Sequence, residues 1–547
     1  MKSLFILFAD HNSLHMEEKL FSDKNALEMS LLWARSVSKA GAEGVFDTED
    51  CACEIYRSQN RHKFESETVL FCFTDNMDMV KKYSGDYEVF SKDEWNVRML
   101  FEQMAVLGEQ KKAENIVFAF ADQPFLNSEI AQQVIFTGIE YKAEYVFADG
   151  YPYGLSCEFL SKDTAAILAQ LAASTYEDQG LKPVAPSSIF DFLKLDINSF
   201  DVETVISKKD FRLFRLKLDC SSKANAMGCK AVFDSKANEL SPVEMCEKIC
   251  MDVNVIKTLP VFYEIAVTDK VNVKSVYVPE SMESISGSNF MPKEKFFSLI
   301  EKIKSFSSSG VISLSAFAES TLHPLFFDFA QKVLEQEGFS LLVETDGFCI
   351  NQEFCAKLKS IYDSCKSKSG FGGFEKILLI VKVDGISKNV YQTIHGDGNG
   401  FDFAVQAVSL LSKDFPDMVY PQLVRMDLNE MELEAFYRYW SDKASPSSGN
   451  LIIQKYNGYC QVLPSRKPAD LSPIDRNPCW HLRRDFVILS DGSVPLCKSQ
   501  FDNIIGNAFD QPIFKIWKKM DDELVSHMKE KYCEKCGKCD EFYTYNF

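Results

Sequence analysis

No stretch of this sequence approaches the roughly 18 consecutive apolar residues that carry a helix across a bilayer. A membrane-spanning role is therefore not expected. An excess of basic charge is missing too: Lys and Arg number 60 against 79 Asp and Glu, a formal net charge of -19. Nonspecific binding to nucleic acid or to an anionic membrane surface demands a basic footprint, so neither partner is expected. A paired cysteine framework is also absent. The 17 cysteines are an odd number, and those before residue 479 follow no repeated spacing. Secreted disulfide scaffolds are short and evenly paired, so a cytoplasmic, reducing compartment is the expectation. The opening MKSLFILFADHNS has one Lys and a short apolar run. It lacks the longer apolar core and small-residue cleavage site of a signal peptide, and it reads as a buried first strand.

What is present is a chain of 547 residues, long enough for about three domains. The last seventy or so residues concentrate its most specific chemistry. Cys479 stands in NPCWHL, Cys497 in DGSVPLC, and Cys533, Cys536 and Cys539 in YCEKCGKCDEF. The last three form two Cys-x2-Cys steps sharing their middle member. Adjacent sulfurs on one tight turn converge on a soft metal. Small buried apolar residues and a redox disulfide are the plainer alternatives.

Residues 1–210 alternate strand-like and helix-like runs. Leu4–Ala9, Glu67–Phe73 and Asn115–Phe120 read as strands, and Asn25–Ala40 has helical periodicity. This predicts an α/β sheet covered by helices. Asp122, in ADQPFLN, ends a buried strand, where a ligand or metal sits in doubly wound sheets. An Asp that merely shapes the turn is an equal reading. The Asp-x-Pro step and the Gly150-Tyr151-Pro152-Tyr153-Gly154 turn followed by Glu158 resemble nucleotidyltransferases of the type A glycosyltransferase class. That resemblance implies a role for Asp122 in holding nucleotide and Mg²⁺. The first loop, FADHNSLHMEEKLFSDKNA, departs from the family: it has no Gly and no Arg, so the phosphate cradle is missing. Lys19 and Lys24 are weak substitutes.

Residues 211–255 read as a connector. Lys208, Lys209, Arg212, Arg215 and Lys217 form a local basic cluster, and the alternation in RLFRLKL predicts a half-exposed strand with a solvated face.

Residues 256–465 carry six β/α repeats. Strands are predicted over Val261–Val267, Val311–Ala316, Ser340–Glu344, Ile377–Val383, Met418–Met426 and Asn450–Lys455. Six such units imply parallel strands in a partial barrel, with a site at the carboxyl ends. Those ends carry Glu319 and His323, then Glu344, Thr345 and Asp346, then Asp384, Tyr391 and His395, then Gln422 and Arg425. This order resembles the radical S-adenosylmethionine barrel. The resemblance implies cofactor contacts for Glu319, Glu344 and Asp384, with Thr345, Gly347, Gly385 and Tyr391 also in family positions. That family needs Cys-x3-Cys-x2-Cys after the first strand. Here Val271, Ser275 and Val278 occupy those spacings in TDKVNVKSVYVPE. Val cannot ligate iron, so reductive cleavage of S-adenosylmethionine is not expected.

Residues 470–547 resemble the SPASM domain, through Gly492-x4-Cys497 and the IGN step before a helix carrying Ile516 and Trp517. A strand Phe486–Leu489, a turn at Asp491-Gly492 and a returning Val494–Leu496 predict a hairpin, followed by one helix from Pro512 to about Glu530. Trp517 reads as core. The resemblance implies one [4Fe–4S] cluster, with Cys479, Cys497, Cys533 and Cys536 as first-choice ligands and Cys539 as a substitute. Zinc accepts four thiolates equally well, and spacing does not separate the two. The whole order of segments most resembles the spiro-SPASM proteins of spirochaetes. An iron–sulfur protein with a non-radical barrel is the expected function, in electron transfer, scaffolding or substrate presentation, and an unidentified protein or peptide partner fits it. The alternatives are a nucleotidyltransferase using the first domain and a structural zinc protein.

Overall fold

The computed structural model describes residues 1–43, 63–280, 290–372 and 374–544. It divides into two compact units, Met1–Ile256 and Lys257–Phe547. Among the described residues, no helix is long and apolar enough to cross a membrane.

The first unit is built on strands β1 (Lys2–Ala9), β2 (Glu65–Phe73), β3 (Glu88–Lys92), β4 (Asn115–Phe120), β5 (Tyr145–Asp149), β6 (Glu158–Ser161) and β7 (Val202–Ile206). They lie in the order β3-β2-β1-β4-β6-β5-β7. All pairings are parallel except those of β6, which runs antiparallel to β4 and β5. β1 is central and nearly fully buried, and its run of apolar residues without alternation is the mark of a strand covered on both faces. The expected helix over Asn25–Ala40 forms as Ala26–Glu43.

The turn from β5 to β6 needs its glycines. Gly154 has φ +95°, and a Cβ there would meet the Leu218 carbonyl oxygen at 2.3 Å. RLFRLKL does not form the strand its alternation predicts. It is a short 3₁₀ turn at Arg212–Phe214, with Arg215 in the left-handed region. Arg212 is tied to Asp149 at 2.9 Å and Asp210 at 2.7 Å, so local ion pairs override the period-two pattern. Beyond it, Lys223–Asp234 and Pro242–Cys250 are helices packed within this unit.

The second unit holds β8 (Phe262–Ile265), β9 (Gly310–Ser313), β10 (Phe339–Thr345), β11 (Ile377–Lys382), β12 (Val419–Arg425), β13 (Ile452–Lys455) and β14 (Asp485–Ile488). They form one all-parallel sheet, ordered β13-β12-β11-β10-β9-β8-β14. β13 and β14 are its free edges, so the barrel is half closed. The six predicted strands are all present within a few residues of their predicted ends.

The seventh, β14, was expected to pair in a hairpin instead. The Asp491-Gly492 turn does form: Gly492 has φ +84°, and Leu489 N donates to Ser493 O at 2.8 Å. Past the turn, β15 (Ser493–Pro495) leaves to pair antiparallel with β16 (Ile504–Asn507). The edge of β8 otherwise exposes unpaired backbone donors and acceptors, and β14 satisfies them. The single helix predicted from Pro512 is two, Ile513–Lys519 and Asp521–Met528, joined at Met520. Trp517 is core: it is 2% exposed, and its indole N–H donates to Thr258 O at 2.9 Å.

Candidate metal centre and barrel cavity

A cavity of about 530 Å³ opens at the carboxyl ends of β8 to β11. Val271, Ser275 and Val278 line it, as do Glu319, Asp346 and Lys382. A cavity of this size suits a small ligand. Glu319 is 2% exposed and fixed at both oxygens. Oε2 accepts from Asp346 N at 2.8 Å and Oε1 from Thr321 N at 3.3 Å. Burial, and then the Asp346 charge, push its carboxyl up to about 7, with Lys382 opposing.

Asp384 does not line this cavity. It is fully buried at φ +54° and spends its oxygens internally. Oδ1 accepts from Val424 N at 2.6 Å, and Oδ2 accepts from the Tyr277 hydroxyl at 2.8 Å and lies 3.0 Å from His395 Nε2. His395 Nδ1 faces the Ser275 hydroxyl at 2.8 Å. The group therefore ties the segment after β8 to the segment after β11. His323 is likewise structural: Leu325 N donates to its Nδ1 at 3.0 Å, and Nε2 lies 3.1 Å from Met291 O.

Glu344 faces a second, smaller cavity of about 100 Å³, whose wall also includes Cys479, Cys497 and Cys539. Val278, Phe317 and Lys382 line both cavities, so one layer of side chains separates them. Lys498 reaches into the smaller one and pairs with the buried Glu264 at 2.5 Å. Burial opposes its charge, but the Glu264 carboxylate, with Tyr459 and Glu344, more than reverses this and raises its pKa.

The five C-terminal cysteines interact with one another: Cys497 feels the charges of Cys479 and Cys539, and Cys536 those of Cys533 and Cys497. Cys479, Cys497 and Cys539 converge, and a cysteine that spacing did not single out, Cys460, joins them. The Cys460 thiol donates to Ser499 O at 3.6 Å, and Cys460, lying against Cys539, holds Cys539 below the usual thiol range, at about 6. Burial, and then the charges of Cys479 and Cys539, push Cys497 up. Burial with the charge of Cys539 raises Cys479 to about 12. Cys460 follows β13 in YNGYCQ and has no Cys-x2-Cys partner, so nothing in local spacing marks it.

Cys533 and Cys536 lie beside Glu523, and Cys536 is also close to Cys497 and Cys460. Among the described residues, this trio alone brings three such ligand atoms within 4.8 Å of one another. The Gln500 amide nitrogen lies 3.0 Å from Cys536 Sγ and 3.8 Å from Cys533 Sγ. Around a single Zn²⁺, bonds of about 2.3 Å place sulfurs roughly 3.8 Å apart. A [4Fe–4S] cluster spreads its four thiolates over separate irons. Among the described residues, no three of the thiols of Cys460, Cys479, Cys497 and Cys539 come within 4.8 Å of one another, so they are not at single-ion spacing.

In the first unit, Asp122 sits at the end of β4 and is 5% exposed. The Ser13 hydroxyl donates to Oδ2 at 2.6 Å. Burial, and then the charge of Asp219, push Asp122 up to about 8. Lys19 pairs with Glu28, and Lys24 with Asp23 at 3.2 Å, so both lysines of the first loop have carboxylate partners.

The SPASM family, described as an iron-sulfur cluster-binding domain, matches residues 479–540. An uncharacterized protein of Treponema pallidum (strain Nichols) is 36% identical over 374 residues, 66% of this chain and 99% of that protein. The chain belongs to the family of this treponemal protein. A second uncharacterized treponemal protein is 38% identical over 82 residues, 15% of this chain and 36% of its own. Among solved structures, a cytidylyltransferase from Leptospira borgpetersenii is 16% identical with a TM-score of 0.34, covering 47% of this chain and 97% of that one. Streptococcus suis SuiB bound to precursor peptide SuiA is 11% identical with a TM-score of 0.38, covering 69% and 84%. The C-terminal region of this family member is thus an iron–sulfur cluster-binding SPASM domain.

Proposed function

We propose that this chain is an electron-transfer protein with one [4Fe–4S] cluster, held by Cys460, Cys479, Cys497 and Cys539 beside a barrel that generates no radical. The observation that carries this reading is that Cys479, Cys497 and Cys539 line one cavity at the wall of the barrel, with Cys460 close enough to interact with Cys539 and Cys497. A bound cluster supplies one-electron redox chemistry. The chain's own residues do the rest. Val278, Phe317 and Lys382 separate the thiols from the larger cavity, and Glu319, Asp346 and Lys382 are among the charged groups there that can orient a small polar ligand. In the radical family the corresponding loop needs three thiolates, and Val271, Ser275 and Val278 offer none. Cofactor cleavage is therefore no part of this function. Anaerobic purification with iron, sulfide and electron paramagnetic resonance analysis tests the reading. About four irons and four sulfides per chain are expected, lost on Cys460→Ala or Cys497→Ala. A colourless protein carrying only zinc at these thiols would refute it.

A second reading is nucleotidyl transfer by the first unit. It rests on the carboxyls of Asp10, Asp122 and Asp219, which lie close enough to raise the pKa of Asp122. The paired lysines and the Ser13 cap weigh against it. Equilibrium dialysis with a nucleoside triphosphate and Mg²⁺ decides: binding that disappears in Asp122→Ala would favour this reading.

A further inference from the structure

We infer that the lysine-rich face formed by the helices Lys293–Ser307 and Ile513–Lys519 with β16 is the docking surface for a small acidic protein that carries single electrons. The choice of partner rests on the electron-transfer reading above. The helix Lys293–Ser307 packs against the helix Ile513–Lys519, which in turn packs against β16. Lys295 and Lys302 stand two turns apart on the first helix, and Lys515 and Lys519 one turn apart on the second, so each pair shares a face. Three of these side chains reach one strip of backbone. Lys302 Nζ donates to Ala508 O and Phe509 O at 2.8 Å, Lys519 Nζ donates to Ile505 O at 2.6 Å, and Lys295 lies 5.3 Å from the centre of the Phe509 ring. Among the described residues, none of the four makes an ion pair, whereas Lys518 beside them is 3.1 Å from Asp521.

Uncompensated positive charge runs against the composition of this chain. Its net charge of -19 repels an acidic protein from most of the surface. A local patch of bare lysines then sets the orientation of approach. Carboxylates near the face are largely taken: Lys535 holds Asp502 at 2.5 Å, and Lys257 holds Asp521 at 2.5 Å. Glu294 and Asp510, exposed on the same segments, do not balance the lysines. The same elements also offer apolar surface for short-range contact, with Phe514 51% and Ile504 44% exposed. Electron-transfer encounters bury little area, so charge has to supply the specificity. The position of the face fits the role. On β16, Ile504 lies opposite Pro495, and Leu496 N donates to Asn503 O at 2.9 Å. Cys497 is the next residue, so a carrier seated here lies against the strand pair that leads to a proposed cluster ligand.

The test is surface plasmon resonance of the full chain, purified anaerobically, against an acidic [2Fe–2S] ferredoxin, with basic cytochrome c as the control of opposite charge. Ferredoxin binding should weaken at least about tenfold as salt rises toward about 1 M, where the Debye length is about 3 Å. Lys295→Glu/Lys515→Glu/Lys519→Glu should weaken it at least about tenfold at low salt, with iron, sulfide and circular dichroism unchanged and cytochrome c bound no less tightly. Lys295→Gln/Lys515→Gln/Lys519→Gln, which removes the charges without reversing them, should act in the same direction. If ferredoxin does not bind, or binds both triple variants as it binds wild type, the inference is overturned. Lysine-dependent binding to duplex DNA or to phosphatidylglycerol vesicles, with none to ferredoxin, would assign the face to phosphates and overturn it as well. Wild type that lacks iron and sulfide yet binds ferredoxin through these lysines would sink the electron-transfer reading and leave the docking surface standing. A loaded cluster with no ferredoxin binding would do the reverse.

Discussion

At the scale of single residues, burial decides the chemistry more than residue type does. Asp122 is the clearest case. Its pKa is raised from 3.8 to about 8 by burial and the charge of Asp219. A raised carboxyl binds its proton more tightly in the folded state, so its contribution is intact below the unfolded value and is lost as pH rises toward the folded one. The loss is about 1.4 kcal/mol for each pH unit crossed. Asp122→Asn retains an oxygen to accept from Ser13 and removes the titration. Thermal melts from pH 4 to 8 should show a flatter decline for this variant than for wild type, and parallel curves would contradict the assignment. At the metal centre, the prediction that tests the proposed ligands is equally local. Cys460→Ala should remove most iron and sulfide, whereas Cys533→Ala should leave them in place, as measured by colorimetric assay per chain.

Among the elements, the piece from β14 to β16 is the joint on which the second unit depends. β14 completes the barrel sheet, the Gly492 turn redirects the chain, and Lys498 returns to Glu264 on β8. Lys498→Met removes one partner of a buried pair and leaves Glu264 charged and unpaired. A loss of about 3–5 kcal/mol is expected, read as a fall in denaturation midpoint. Gly492→Ala faces both a left-handed backbone and a Cβ 2.5 Å from the Phe509 ring. It should cost more than about 1 kcal/mol and loosen Cys497, lowering cluster retention after desalting. A variant as stable as wild type would show that the turn is not what holds Cys497.

For the whole molecule, the loop after β8 lacks the three cysteines expected of a radical S-adenosylmethionine barrel. With S-adenosylmethionine and dithionite supplied to anaerobically prepared protein, no 5′-deoxyadenosine is expected by chromatography. Its appearance would mean that another set of thiols serves the barrel. Radical chemistry needs three thiolates at one loop, and neither packing nor pH changes can supply them.

Much of this was legible in the sequence because it is local. Periodicity located the six barrel strands, since a strand buried on both faces must be a short continuous apolar run. The replacement of cysteine by Val271, Ser275 and Val278 is a statement about residue types and needs no coordinates. The spacing of Cys533, Cys536 and Cys539 announced soft-metal chemistry. What local pattern could not decide is which thiols meet. Cys460 reaches Cys539 across almost eighty residues of chain, and Cys533 turns to Glu523 on the preceding helix. β14 likewise chose the open edge of β8 over its neighbour in sequence, and RLFRLKL surrendered its alternation to ion pairs with Asp149 and Asp210. For Cys460 and β14 the deciding partner is distant in the chain, and its contribution exists only once the fold has brought it near. The sequence determined the parts and showed that the loop after β8 carries Val271, Ser275 and Val278 in place of three cysteines. Only the tertiary structure brought Cys460 beside Cys539, because convergence on a metal is set by distance in space.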